Sequence, residues 1–512
     1  MDQAIQQEQR LVALVRNFKP VVETYIQDQK PDTDLGSVPK DDEYFLSRLD
    51  LTGDAPANYA FQDEETLKQR AEKKIPKGSQ AYEAVGFAQS VFPDLGHFDR
   101  QNYAFEFVRW EVLGEVRCAA IDVTPRVKSG NRAFAGRIWV DERDFAIVRF
   151  TGTYMAKALS QRSFHFDSWR VNVLPRVWIP AYVYTQESDP RDPSNRAPLF
   201  KAQTRIWGYD LQHAGDHKEF AKRLTDAVAF ADPKRQESSQ GLDPSLSLVA
   251  TPYSTEDSVV ERLQVAGLMA PDGDVDRVLE TVANNLLITN DLNIAGVRCR
   301  VLLTAPLESF VVGRTIVVSR GLLDVLPDEA SLAAVLAHEI GHIVLHHSMG
   351  DAYQSAVSLS FADLRTFERL NFRFDDSQEA AADRKGFELL SKSPYKDQLA
   401  NAALFLQTLQ ARAPLLPKLL RGRFSNGFAS SHLIGMTALA TAGPQLQLNR
   451  IDQVAALPMG SRIKIDPWSD RIEMLKRKPV HLLTAAEKMP FEVSPFFPYL
   501  KRQGQEKAQP PK

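Results

Sequence analysis

The chain has 512 residues, 44% hydrophobic and 25% charged, and a formal net charge of −3. That length accommodates two or three domains, each with a sizeable core, and the charge gives no electrostatic basis for binding nucleic acid or an anionic membrane. No apolar run reaches the ~18 to 20 residues of a membrane-spanning helix. Taken in chain order, residues 1–78 read as a helical segment. An amphipathic stretch covers 4–27 and a charged helix covers 64–74. A polar link containing Pro31, Pro39 and Pro56 joins them.

From about Tyr82 the hydrophobic period changes to two. Residues 105–110, 116–123, 136–140, 146–150, 177–184 and 201–207 read as strands, with a short polar turn at 141–144. The expectation over 79–229 is a consecutive antiparallel sheet, curved and half-wrapped around a helix. The strand pair in 136–152, GRIWVDERDFAIVRFTG, resembles the repeated strand pairs of the lipoprotein-carrier fold of bacterial envelopes. That resemblance implies contact with envelope proteins or lipoproteins through this domain. It also implies an extracytoplasmic location with a secretion signal removed, the cytoplasm being the alternative. Polar residues over 230–256 read as a linker. Cys118 and Cys299 fall in different domains and are expected to be unpaired thiols.

The most informative segment follows. Asp328 is a plausible N-cap, with acidic residues in the first turn behind it. Leu332, Val335, Leu336, Ile340, Ile343 and Val344 then give a wide apolar surface, so the helix should be buried. Within it stands His338-Glu339-Ile340-Gly341-His342. Residues four apart share a helix face, so both histidines can present a ring nitrogen to one metal ion, and Glu339 falls beside that face. Gly341 weakens the helix but allows a close approach next to the site. A third ligand is needed. Leu345 and Ser348 occupy the positions where a metzincin would continue with Gly and His, which rules that pattern out. His346 lies one turn past His342 and reads as a helix-end histidine. Glu379 is the better candidate, since catalytic zinc sites with two His and one Glu keep a fourth position open. Asp383, one turn beyond Glu379, can orient a ligand histidine. The competing reading makes Asp376 and Glu379 a capping box.

The run Ser331–His342, SLAAVLAHEIGH, followed by Glu379-Ala-Ala-Ala-Asp383 resembles the gluzincin peptidases of the HtpX and CAAX-prenyl-protease type. The strand and Gly-Leu-Leu of 314–323 and the histidine His347 match the same family. Ser430-Ser431-His432 resembles its Thr-His-Pro element, although Leu433 replaces the proline. Glu308-Ser309-Phe310 stands where Asn-Ala-Phe would be expected. The resemblance covers roughly 257–445. It implies one zinc ion per chain held by His338, His342 and Glu379, with Glu339 and His432 catalytic and polypeptides as substrates. Members of that family are embedded in membranes, which this chain is not expected to be. The strand 315–319 is expected to form an edge to which an extended substrate could add. The remainder, 446–512, reads as an extension packed on the body, with a disordered end from Gln503 onward. The fold class is therefore α+β, and the expected activity is zinc-dependent endopeptidase. The alternatives are a lipid or lipoprotein carrier with a peptidase-like scaffold, and a zinc hydrolase acting on a bond other than a peptide.

Overall fold

The computed structural model describes residues 1–16, 18–32, 36–50, 57–60, 87, 89–126, 133–155, 165–188, 198–209, 255–347, 371–427, 439, 443–447, 459–460, 462–475, 493–495 and 498–503. Helix α1 spans Asp2–Val15. Strands β1 (Val21–Asp32), β2 (Gly36–Asp50), β3 (Ala57–Ala60), β4 (Tyr103–Leu113), β5 (Val116–Pro125), β6 (Ala133–Asp141) and β7 (Ile147–Met155) follow, then β8 (His165–Leu174), β9 (Val177–Ser188) and β10 (Pro198–Trp207). All ten form one antiparallel sheet in the order β3-β2-β1-β10-β9-β8-β7-β6-β5-β4. From β4 to β10 each strand pairs with its successor, and the N-terminal hairpin β1–β2 adds to the free side of β10.

Strand residues alternate between two buried faces. On β9, Ile179 and Val183 join one core and Trp178, Tyr182 and Tyr184 the other. The first face is covered by α1, whose Ala4, Ile5, Val12 and Val15 pack on it. Glu8 of α1 and Arg170 of β8, both 1% exposed, pair through two bonds of 2.6 Å. The second face packs against the rest of the chain. There Cys118, Trp139, Trp169, Trp178 and Trp207 share one hydrophobic core with Leu279, Leu303, Val317 and Leu336.

The reading of the N-terminus needs correction. Residues 21–32 and 36–50 form two strands rather than helix and link. These strands bury Glu23, Thr24, Gln27, Gln29 and Asp42, polar residues that mask the period of two. Pro31 and Pro39 sit near the hairpin end, beside a register shift between Asp28 and Gln29, where a proline interrupts the ladder least. Strand β8, which carries buried Ser168, Arg170 and Asn172, was hidden in the same way. The charged stretch 64–74, Pro56 and the linker residues 230–254 lie outside the described residues.

The helical region holds α2 (Thr255–Val265), α3 (Asp274–Thr289), β11 (Arg298–Leu302), β12 (Ser309–Val312), β13 (Thr315–Ser319), α4 (Arg320–Val325) and α5 (Glu329–Val344). It continues with α6 (Asp376–Ser391), α7 (Leu399–Arg412), α8 (Pro417–Leu420) and the hairpin β14 (Ile463–Ile465) to β15 (Ile472–Met474). The small sheet runs β11-β13-β12, with β13 parallel to β11 and antiparallel to β12. Here a second correction applies. The strand 315–319 is central and buried throughout, so the edge beside the site is β12.

A buried polar seam joins the two regions. Arg320 at the start of α4 pairs with Glu23 of β1 at 2.7 Å and with Asp324 at 3.0 Å, all three 2% exposed or less. Glu23 also accepts from the Tyr44 hydroxyl at 2.8 Å and the Ala305 amide at 2.5 Å. Asp42 of β2 accepts from the amides of Lys418 and Leu419 at 2.9 and 2.8 Å, capping α8. Residues 498–503 run along the large sheet: Glu115 donates its amide to Leu500, and Arg502 pairs with Asp141 and Asp144. Both cysteines are free and buried. Among the described residues no helix is long and apolar enough to cross a membrane.

Candidate metal centre

Helix α5 begins as its sequence implies. Asp328 caps it, accepting the Ser331 amide at 2.9 Å. The helix is buried from Ala330 to His342 apart from His338, which is partly exposed. Helix α6 crosses it closely, and Gly341 makes the approach feasible: a Cβ there would lie 2.6 Å from the Ala382 carbonyl oxygen. The glycine inside the histidine motif is thus a contact point for the helix that carries the third acid.

Helix α6 is capped by Asp375, which accepts the amides of Ser377 and Gln378 at 2.9 Å each, with Gln378 returning the bond. The capping box is therefore Asp375 with Gln378, not Asp376 with Glu379. Glu379 instead turns toward the histidines. His338 Nε2 and His342 Nε2 are 3.1 Å apart, and Glu379 Oε2 lies 3.3 Å from the first and 3.8 Å from the second. Bond lengths of ~2.0 to 2.1 Å in a tetrahedron would separate ligand atoms by about 3.3 to 3.4 Å. The three atoms therefore fit one zinc-sized ion with little adjustment.

The outer contacts fix which nitrogen faces the centre. His338 Nδ1 lies 2.8 Å from Asp383 Oδ1, so Nδ1 carries a proton and Nε2 faces Glu379 and His342. His342 Nδ1 meets His347 Nδ1 at 3.0 Å, and its ring stacks on Phe374 at 4.0 Å. Asn426 donates to Glu379 Oε1 and, at 3.1 Å, to the Phe374 carbonyl. The loop bearing Asn426 is tied down by Glu308, which accepts the amides of Phe424 and Ser425. Neither Asn426 nor Glu308 shows a role in the sequence, because neither stands at helical spacing from the motif.

The electrostatics agree with a cluster built around positive charge. Burial disfavours the charged His338 ring, yet the hydrogen bonds it donates to Asp383 and Glu379 hold its pKa well above the usual value. Burial acts to raise Glu379, but the two histidines push it well below the carboxylate range. Burial lowers His342 to about 4. A divalent ion would offer these three donors the positive charge that a shared proton supplies here.

Glu339 is 3% exposed, and burial raises its pKa to about 7. Its Oε1 accepts from Ser309 Oγ at 2.6 Å, at the first residue of β12. Ser309 is one of the departures from the family pattern, and here it orients the carboxylate next to the histidines. His346 is exposed at the end of α5 with a φ of 53°, outside the cluster. His432 with Ser430 and Ser431 lies outside the described residues.

Two solved structures are similar in part. A LolA superfamily protein from Nitrosomonas europaea is 11% identical, covers 40% of this chain and 91% of its own, with a TM-score of 0.23. A DUF1329 family protein from Desulfovibrio piger is 10% identical, covers 41% of this chain and 91% of its own, with a TM-score of 0.18. No curated protein matches the chain. Residues 270–370, from the approach to α3 through His338, Glu339 and His342, match the model of Peptidase family M48, and the match ends before Glu379 and Asp383.

Proposed function

We propose that the chain is a zinc-dependent endopeptidase acting on unfolded or flexible polypeptides. The observation that carries this reading is the convergence of His338 Nε2, His342 Nε2 and Glu379 Oε2 within 3.8 Å of one another, with Glu339 on the same helix. Zinc held by these three would supply Lewis-acid activation of water and of the scissile carbonyl. Glu339, with a pKa near neutrality, accepts the proton of the attacking water and delivers it to the leaving amine. Ser309 holds that carboxylate in place. Asp383 keeps His338 in the tautomer that turns Nε2 inward.

Strand β12 supports the choice of substrate. It pairs with β13 on one side, and among the described residues no strand pairs with its other side. An extended peptide can add there by backbone hydrogen bonds and run past Ser309 and Glu339, a mode open to flexible chains and closed to folded ones. The resemblance of the strand pair in 136–152 to the lipoprotein-carrier fold supports an extracytoplasmic setting and envelope proteins as substrates. The decisive test is metal analysis together with cleavage of casein, wild type against Glu339→Gln. Full metal content with cleavage lost supports the reading. A metal-free protein, or unchanged cleavage, rejects it.

A further inference from the structure

A cavity of about 520 Å3, sharing no residue with the metal-ligand cluster, lies where the large sheet meets β14 and the C-terminal residues 498–503. Tyr182 and Trp207 of the sheet, Ile463 and Ile465 of β14, and Tyr499 and Leu500 form much of its wall. Its volume falls in the ~300 to 1,000 Å3 range of small-molecule sites, which are mostly apolar with a few placed polar groups. One such group stands here. Arg205 of β10 lines the cavity and is 9% exposed.

Among the described residues the other deeply buried arginines are paired. Arg170 has both oxygens of Glu8, and Arg320 has Glu23 and Asp324. Arg205 has no such partner among the described residues, and its Nε is shut off from solvent without a hydrogen bond. The nearby acids are already committed. Glu23, directly across the ladder from Arg205, bonds Ala305, Tyr44 and Arg320. Asp324 bonds Arg320 and the amides of Arg462 and Ile463. The guanidinium rests over the Tyr182 ring at 5.6 Å, a contact that orients it without neutralising it. Gly460 leaves room beside it, since a Cβ there would come within 2.8 Å of Nη2. Lys464, Glu473 and Lys501 also line the cavity, but they are half-buried or exposed, leaving Arg205 as its deep charge. A buried cation without a counterion is costly, and a guanidinium does not escape the cost by deprotonating.

We infer that Arg205 anchors a small carboxylate bearing an apolar body in this cavity, the carboxylate meeting the guanidinium and the body lying against Trp207, Ile463 and Leu500. The planar fork matches a carboxylate, and a single buried positive charge balances a monoanion rather than a phosphate dianion. Two sources share that chemistry: a fatty acid, and the carboxyl end of a short apolar peptide.

The test is calorimetric titration of the full chain with octanoate and with N-acetylphenylalanine, each beside its neutral counterpart, octanol and N-acetylphenylalaninamide. Inorganic phosphate serves as the charge-only probe. At least one carboxylate should bind ten-fold or more tightly than its neutral counterpart, and which one binds identifies the source. Arg205→Met should lose that preference while holding or raising Tm, because it replaces an unpaired buried charge with an apolar chain of similar length. Arg205→Lys, which keeps the charge and loses the fork, should bind at an intermediate level. Equal binding of acid and neutral probe, no binding of either acid, binding of phosphate alone, or full binding by Arg205→Met would each overturn the assignment. Should Arg205→Met fail to fold, the acid-against-neutral comparison on the wild type decides alone.

Discussion

His338, His342, Glu379 and Asp383 come from two helices, and the contact between the most distant pair spans 45 positions of chain. The buried seam between the large sheet and the helical region joins Glu23 to Ala305 across 282 positions and Asp42 to Leu419 across 377. Both regions are clusters of buried, hydrogen-bonded charge. In the first, the local period of a helix places the side chains, so chemistry can be read from spacing. In the second, each group is explained only by a partner on another element, so the same burial leaves no pattern in the sequence. The two should therefore fail differently: the cluster by losing metal and activity with the fold intact, the seam by losing the fold.

The largest effect should follow removal of a ligand. His338→Ala, His342→Ala and Glu379→Ala each delete one of three protein donors and should leave cleavage at background, with metal content sharply reduced and Tm in the presence of chelator unchanged. Elemental analysis checks this, and full metal content in Glu379→Ala would place the third donor elsewhere. Next comes Glu339→Gln, expected to keep the metal and lose ~10² to 10⁴ in rate, as for a missing general base. Turnover within a few-fold of wild type would remove Glu339 from the mechanism.

The seam supplies the third prediction. Glu23→Ala leaves Arg320 buried with Asp324 alone, and breaking one partner of a buried pair costs about 3 to 5 kcal/mol. Chemical denaturation should show that loss in a single cooperative transition, because both regions share one hydrophobic core. Two separated transitions would mean that the regions unfold independently. Smaller again is Asp383→Asn. It leaves all three donors but unsettles the His338 tautomer, and should weaken metal affinity by ~10 to 100-fold. Affinity equal to wild type would reduce Asp383 to a surface residue.

The same contrast explains how far the sequence could be read. Glu379 emerged because an acid and Asp383 one turn later could serve two histidines one turn apart, an argument needing only helix geometry. Asn426 and Ser309 complete that arrangement, yet they arrive from a loop and from the start of an edge strand, so no periodicity announces them. Strands β5 to β7 and β9 showed their period of two because mostly apolar residues face their cores, whereas β4 showed it although Phe107 and Trp110 stay exposed, and β10 although it buries Gln203 and Arg205. Strands β1, β2 and β8 did not, since they place Glu23, Asp42 and Arg170 where apolar residues are expected. The assignment of the substrate edge to 315–319 failed for a related reason. The run Thr315–Ser319, apolar at Ile316, Val317 and Val318 and buried throughout, is the central strand, and the edge beside the site is β12 with Ser309 at its head.

The smallest expected effect tests whether buried acids outside the ligand set, Asp42 in the seam and Glu308 beneath the Asn426 loop, behave unlike Glu379. Burial raises Asp42 to about 7 despite the amides of Lys418 and Leu419, and raises Glu308 to about 7 despite those of Phe424 and Ser425. In the unfolded chain these groups would titrate near 3.8 and 4.5. The folded protein therefore retains protons that the unfolded chain has released across that interval. Their contribution to stability is full below the unfolded values and is lost as pH rises through the folded values. Each group can change stability by at most about 1.4 kcal/mol per pH unit. Denaturation of the wild type between pH 5 and 7.5 should show this downward slope. Asp42→Asn and Glu308→Gln should each flatten it. Asp42→Asn should also lower stability at every pH, because Lys418 and Leu419 donate to different oxygens of Asp42 and an amide keeps only one. Both amide donors of Glu308, by contrast, meet one oxygen that Gln retains. An unchanged slope in both variants would mean that these carboxylates stay ionised in the fold, held by their amide donors against burial.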